Sequence, residues 1–232
     1  MVETNLPILY LREVVLLPYN EIRLEFTNDN DKEVLSLAEK KYDGHVLLVN
    51  LLDPLEEEPD INELPSICIL SKIKSSLALP NGITRVVLTG VSRVSVSRYI
   101  NINGHLTAFV SDSCEYDYNE MEVLALRRIL YRKLDEYIDV SPYMSNTVLG
   151  RINDVKNIDK LADIIVSELP LEYNDLVKYV SITNPIFRVR TIIEEISKET
   201  QTLLLENQIE DSLKVRMEEE QKEYILKEKI RL

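Results

Sequence analysis

No glycine of this chain precedes a lysine. The five glycines are Gly44, Gly82, Gly90, Gly104 and Gly150, so no GKS or GKT loop is present to cradle a phosphate. The strained GxSxG elbow of serine hydrolases is missing too. Only two histidines occur, His45 and His105, with no neighbouring ligand at metal spacing. They read as ordinary half-buried side chains at strand starts. Cys68 and Cys114 form no CxxC pair and read as small reduced side chains of a cytosolic protein. No apolar run is long enough for a membrane-spanning helix. The opening Met1-Val2-Glu3-Thr4-Asn5 lacks the pattern of a signal peptide. A formal net charge of −13 argues against general binding to nucleic acid or anionic membranes. The run Glu56-Glu57-Glu58 reads as a solvated loop rather than a cation cage. No nucleophile–base pair or metal set can be named, so the residues point to binding rather than catalysis, with no cofactor of their own.

Two further absences are regional. From Leu64 to Ser111 there is no Asp or Glu, while Lys72, Lys74, Arg85, Arg93 and Arg98 fall in that stretch. Either these cations pair with acids from elsewhere in the fold, or they face an acidic partner or a neighbouring subunit. After Pro185 there is neither glycine nor proline. Read as one helix at 1.5 Å per residue, the last fifth of the chain is roughly 70 Å long. A globular domain of this size has no need of such length.

What is present divides by periodicity. Up to about residue 115 the pattern is that of strands. Leu6–Leu11 and Val14–Leu17 are apolar runs, Glu21–Phe26 alternates, and His45–Leu52 reads as buried. Ser66–Leu79 and Ile83–Thr89 are joined at Pro80-Asn81-Gly82, where Asn-Gly suits the positive φ of a tight hairpin. Val91–Ile100 and His105–Ser113 follow, around a second turn at Asn101–Gly104. One helix, Asp31–Lys41, interrupts them, with Asn28, Asp29 or Asn30 as cap and Val34, Leu35 and Ala38 as its apolar stripe. The expected form is a curled sheet or small barrel carrying one helix.

From Glu120 the period becomes helical. Met121, Leu124, Ile129, Tyr131, Leu134 and Ile138 are expected to line the first long helix. A short helix follows, capped by Ser141 with Pro142 in its first turn. Ile158–Leu169 and Leu171–Tyr179 come next. Asn184-Pro185 opens the long final helix, whose seam runs through Ile186, Val189, Ile193 and Ile196 and thins beyond Leu204. Glu210/Lys214, Glu218/Lys222 and Glu223/Lys227 are spaced to pair on its surface. The organisation is thus 1–115 β-domain, 116–185 helical bundle, and 186–232 long helix.

With these segments in place, four motifs resemble the amino-terminal region of the Lon ATP-dependent protease family, in order and at matching spacing. Leu6-Pro7-Ile8-Leu9-Tyr10-Leu11-Arg12-Glu13-Val14-Val15-Leu16-Leu17-Pro18 is similar to LPxLPLRDxVxxP. Leu79–Gly90 resembles the LPDGTxxVLVEG hairpin. Leu161–Leu171 resembles LADxIAxxLPL, and Met217–Glu228 resembles MxxxQREYYLxEQ. Tyr10, Glu13, Tyr19-Asn20 and Cys68 depart from the usual residues. The resemblance implies an α+β fold: a PUA-like mixed β-barrel with one helix, then a helical bundle with one long protruding helix. It implies a non-catalytic region that captures unfolded or misfolded protein substrates for ATPase and protease domains lying beyond Leu232. Those would supply ATP and Mg binding and a Ser-Lys pair in a cytoplasmic hexamer, with the 232 residues an excised piece or a natural truncation. The alternative is a free-standing LON-type adaptor module. For substrate contact, turns offer apolar side chains at Leu17, Pro18, Tyr19, Leu77, Leu79 and Pro80, with Arg85 and Arg93 adding a weaker electrostatic contribution.

Overall fold

The computed structural model describes residues 4–230 apart from 54, 57–58, 113–115, 117 and 143, with the side chain of residue 229 aside. Cys114, and with it any statement about its pairing, lies outside the described residues, as do Glu57 and Glu58 of the acidic run. Six strands form one sheet: β1 (Thr4–Leu11), β2 (Glu21–Phe26), β3 (His45–Asn50), β4 (Ile67–Ala78), β5 (Thr84–Ile102) and β6 (His105–Asp112). Their order is β2-β5-β4-β3-β1-β6. β1 and β3 run parallel, and every other pairing is antiparallel.

β5 explains the closure. The expected break between Ile83–Thr89 and Val91–Ile100 does not occur, and one strand of 19 residues runs straight through Gly90. Its first half pairs with β2 and β4, and its second half with β4 and β6. That closes the ring β5-β4-β3-β1-β6 and leaves β2 outside it, on β5. Register shifts at Leu70/Ser71, Ile73/Ser75 and Val96/Arg98 bend the long strands enough to allow this. The closed ring is irregular rather than a regular barrel. Val14–Leu17, read as apolar enough for a strand, is an ordered loop between β1 and β2.

Among the described residues there are six α-helices, α1 (Asp29–Lys41), α2 (Glu120–Val140), α3 (Asn146–Ile152), α4 (Ile158–Val166), α5 (Tyr173–Ser181) and α6 (Pro185–Ile230), and one 3-10 turn, Ile61–Glu63. Asn28 caps α1 by accepting from the backbone of Asn30, and Val34, Leu35 and Ala38 are its buried face, as expected. The stripe expected for α2 is found in part: Leu134 is buried, and Tyr131 and Ile138 are partly buried against the core. Leu126, Leu130, Leu134 and Tyr137 are buried, whereas Met121 and Leu124 point to solvent. Spacings of four, four and three place the buried four on one side of a 3.6-residue helix, and Met121 and Leu124 fall off it. Ser141 ends α2 rather than starting α3, and its amide N–H donates to Tyr137 O.

Two apolar clusters hold the fold. The smaller one fills the ring, with Leu6, Ile8, Leu47, Val49, Cys68, Val94, Ala108 and Val110. The Cys68 thiol is pushed up to about 12 by burial, so it is an inert member of that core at neutral pH. The larger cluster is continuous from the sheet (Leu9, Leu48, Leu88) through the loop residues Leu16 and Leu17 to the helices (Leu130, Ile165, Val189). At roughly 1.5–3 kcal/mol per fully buried large side chain, this cluster is the main stabilising contact between sheet and bundle.

α6 is 46 residues long, or about 69 Å. Its root packs through Ile186, Val189, Ile192 and Ile196, and the last buried side chain is Leu203. Beyond it every described side chain is exposed. Of the three expected surface pairs, Glu223–Lys227 is made at 3.4 Å, while Lys214 leans to Asp211 at 4.0 Å. Without tertiary packing a helix of this composition is marginal in water. Hydrogen exchange is therefore predicted to be fast for amides from Glu206 to Ile230 and slow around Ile192–Ile196. Uniform protection along α6 would count against this.

Candidate functional site

Sheet and bundle meet at the loop Leu17-Pro18-Tyr19-Asn20. Tyr19 adopts φ 65°, in the left-handed region, which costs a residue with a Cβ about 1–2 kcal/mol. Two backbone hydrogen bonds hold it there. Tyr19 N donates to Gly90 O at 3.0 Å, and Gly90 N donates to Asn20 O at 2.9 Å. Gly90 permits the approach, because a Cβ at that position would lie 2.2 Å from Leu17 O. The Asn20 side chain then ties the loop to α4, donating to Asp163 O at 3.4 Å. Lys160 Nζ sits 5.6 Å from the centre of the Tyr19 ring.

Behind the loop lies a buried ion cluster. Arg93, from the middle of β5, forks onto Asp163 of α4, with Nη1 and Nη2 donating to its two carboxylate oxygens at 2.6 and 2.9 Å. Arg93 Nε donates to Val180 O at 3.1 Å. Tyr179 of α5 donates its hydroxyl to Asp163 at 3.0 Å. Arg188, in the first turns of α6, is also buried. It donates to Ile182 O and Thr183 O at 2.6 and 2.9 Å, pairs with Asp159 of α4, and lies 3.9 Å from Asp163. One acid of α4 therefore gathers groups from β5, α5 and α6. Burial pushes the Asp163 carboxyl above its ordinary range, against the pull of Arg93 and the Tyr179 hydroxyl. Burial and the neighbouring acid push Tyr179 well up, which keeps it a donor.

The expected contact residues fall into two groups. Leu17, Pro18 and Arg93 are buried. Leu17 is core, Pro18 is covered by the junction, and Arg93 is spent on Asp163, so these three are withdrawn as surface contacts. Tyr19, at 43% exposure, and Leu77, at 57%, do face solvent. Pro80 is exposed and Leu79 half-buried at the β4–β5 hairpin. Arg85 is half-exposed and bonds Glu25 on β2 at 2.6 and 2.8 Å. Lys72 pairs with Asp43 at 2.9 Å and Lys74 with Glu21 at 2.6 Å, while Arg98 lies over the Phe109 ring at 4.2 Å. The basic stretch is thus compensated within the fold, most of it by acids of β2 and neighbouring turns. Asp163, Tyr179 and Arg188 were not anticipated. The readable signal for Asp163 was a single charge inside the apolar run Leu161–Val166.

Among the described residues no group of His, Cys, Asp or Glu could hold a metal ion, and no helix is long and apolar enough to cross a membrane. The model of the ATP-dependent protease La (LON) substrate-binding domain matches residues 5–198. The Lon protease of Brevibacillus choshinensis is 30% identical over 228 residues, covering 98% of this chain and 29% of that protein. Lon protease 1 of Bacillus subtilis (strain 168) is 29% identical over 227 residues, again 98% of this chain and 29% of the relative. The chain therefore spans under a third of the length of these relatives. Among solved structures, the N-terminal domain of the Mycobacterium avium complex Lon protease superposes with a TM-score of 0.60 at 18% identity, covering 84% of this chain and 98% of that one. A Lon N-terminal domain protein from Xanthomonas campestris gives 0.56 at 17% identity, covering 82% and 98%. By its sequence match over most of its length, this chain belongs to the ATP-dependent protease La (LON) substrate-binding domain family.

Proposed function

We propose that this chain is the part of an ATP-dependent serine protease that recognises protein substrates, and that it binds unfolded or misfolded chains without acting on them. Peptide hydrolysis by a Ser-Lys pair, and ATP hydrolysis with Mg, belong to domains outside these 232 residues, assembled with this one as a cytoplasmic hexamer. The observation that carries the reading is the family match across residues 5–198. Exposed apolar side chains at turns, Tyr19 before β2 and Leu77 near the β4–β5 hairpin, support it. Burying two or three such side chains at about 1.5–3 kcal/mol each, less ordering costs, gives capture of roughly micromolar strength or weaker. Several copies in one ring would restore avidity.

The test is a binding titration of the purified chain with reduced, carbamidomethylated α-lactalbumin and with its native form. Binding to the unfolded form alone is expected, with no turnover of ATP or casein. Arg85→Ala should leave the affinity within twofold, because Arg85 is already paired with Glu25. Equal binding to the native form, or none to either, would sink the reading.

A further inference from the structure

β2 stands outside the closed ring, paired with β5 on one side and with no strand on the other. The phase of its hydrogen bonds decides which groups the open side carries. Gly90 N donates to Asn20 O at 2.9 Å, so in this antiparallel ladder Ile22, Leu24 and Phe26 exchange hydrogen bonds with β5. The β4–β5 hairpin agrees with this phase. Leu79 N donates to Ile83 O at 2.8 Å, which turns Ile83, Arg85 and Val87 toward β4 and leaves their neighbours for β2. Glu21, Arg23 and Glu25 therefore point their N–H and C=O groups outward, where among the described residues no hydrogen bond reaches them. The side chains of these three are exposed, while Ile22 and Leu24 are half-buried and Phe26 is buried.

Exposed edges are ordinarily blunted by prolines, bulges or inward-pointing charges. β2 has none of these: its register with β5 is unbroken and its inward residues are apolar. Its outward charges alternate in sign. Glu21 is bound by Lys74 and Glu25 by Arg85, while Arg23 has no ion-pair partner among the described residues. An antiparallel copy of the same strand can join this edge only where outward residues oppose outward residues. Centred on Arg23 or on Glu25, it sets like charges directly opposite each other, which is destabilising. Centred on Ile22, it runs onto Tyr19, whose φ of 65° is not that of a strand. Centred on Leu24, it places Arg23 of each copy opposite Glu25 of the other. Glu21 then opposes Thr27, Ile22 lies beside Phe26, and the two Leu24 side chains meet on the apolar face.

The geometry points to β2 as a two-fold interface with a second copy of this chain, the two strands pairing antiparallel about Leu24 and joining the two sheets. Glu25 then bridges two guanidinium groups, Arg85 of its own copy and Arg23 of the other. The formal charge of −13 makes the copies repel at a distance, but at about 0.15 M salt such repulsion is screened beyond roughly 8 Å. One short edge makes a small interface, so the pairing is weak, with a Kd on the order of 100 µM. That strength suffices where an assembly already holds several copies at high local concentration. The pairing does not depend on substrate capture.

The experiment is sedimentation equilibrium of the whole chain from about 10 µM to about 1 mM, in roughly 0.15 M salt. Four proteins are compared: the wild type, Arg23→Glu, Arg23→Lys, and Ile209→Ser/Leu213→Ser. The last removes exposed apolar side chains of α6, the rival surface for self-association. Arg23→Glu is expected to weaken association at least tenfold, and the other two variants less than threefold. The Arg23 side chain is exposed and its backbone groups lie off the β5 ladder, so the fold tolerates either change there. Amide hydrogen exchange of the wild type, read residue by residue, supplies a second measurement. The amides of Arg23 and Glu25 should exchange fast in dilute protein and at least threefold more slowly at the highest concentration. Those of Ile22 and Leu24, committed to β5, should stay slow throughout. A monomer at every concentration, undiminished association of Arg23→Glu, loss confined to the α6 variant, or concentration-dependent protection that omits Arg23 and Glu25 overturns the pairing.

Discussion

Replacing Asp163 with alanine is expected to destabilise the chain by about 3–5 kcal/mol, lowering Tm by roughly 6–20 °C for a protein of this size. The carboxylate is the one acceptor for both Nη groups of Arg93 and for the Tyr179 hydroxyl. Its loss leaves a guanidinium buried to 3% side-chain exposure without a counter-ion. Most of the penalty belongs to that stranded charge rather than to the pair's net attraction. The double variant Arg93→Met/Asp163→Leu should therefore recover part of the loss, since the two charges leave together, while the Tyr179 hydroxyl and the Val180 carbonyl, which lose their partners, keep the remainder. Thermal denaturation of the two variants checks this. A double variant no more stable than Asp163→Ala would mean that the cluster contributes through its geometry, not through charge balance.

Gly90→Ala is expected to destabilise by about 3 kcal/mol, at the upper end of the usual range for overpacking. The added Cβ meets the carbonyl oxygen of Leu17 at 2.2 Å and Pro18 Cα at 3.1 Å. Both neighbours are backbone, so no side chain can swing aside. The loop must lift from β5, breaking the Tyr19–Gly90 and Gly90–Asn20 hydrogen bonds. Gly82→Ala makes the instructive comparison. It sits at φ 78° with nothing within 4 Å of its Cβ, so only its conformational preference is at stake, about 1–2 kcal/mol. Urea denaturation should rank Gly90→Ala as the more damaging. The reverse order would show that the loop adapts at little expense.

Local pattern carried the elements well and the junction poorly. Alternation at Ile22, Leu24 and Phe26, the Asn28 cap, the Asn-Gly turn after Pro80 and the Pro185 start of the long helix all rest on interactions within a few residues, and all are found. The fate of Arg93 rests on a partner 70 residues away, which no local period encodes. Leu17 and Pro18 look like an exposed turn in isolation, and are buried where the loop lies against β5 at Gly90 and Leu17 joins the core shared by sheet and helices. The α2 stripe was right only in part, at Leu134, Tyr131 and Ile138, for a related reason. Several apolar residues share its turns, and which of them face inward is decided by α6, its packing partner. The expected surface contacts are legible only in part: Tyr19, Leu77 and Pro80 are exposed, whereas Leu17, Pro18 and Arg93 are buried.

The ring of strands also has a kinetic consequence. β1 is made before the other five strands of the sheet, and its two neighbours are β3 and β6. Thr4 pairs with Val110, and Ile8 with Leu47. On a ribosome adding about 5–20 residues per second, one edge of β1 waits roughly 5–20 s before its partner exists. The hydroxyl of Tyr173 that bonds Leu11 O and Leu51 O comes later still, and Arg188 later than that. Pairings of such long sequence separation form slowly even in the finished chain, because loop closure must be met before contact is gained. During synthesis this chain thus exposes an unpaired, apolar strand edge of its own for seconds.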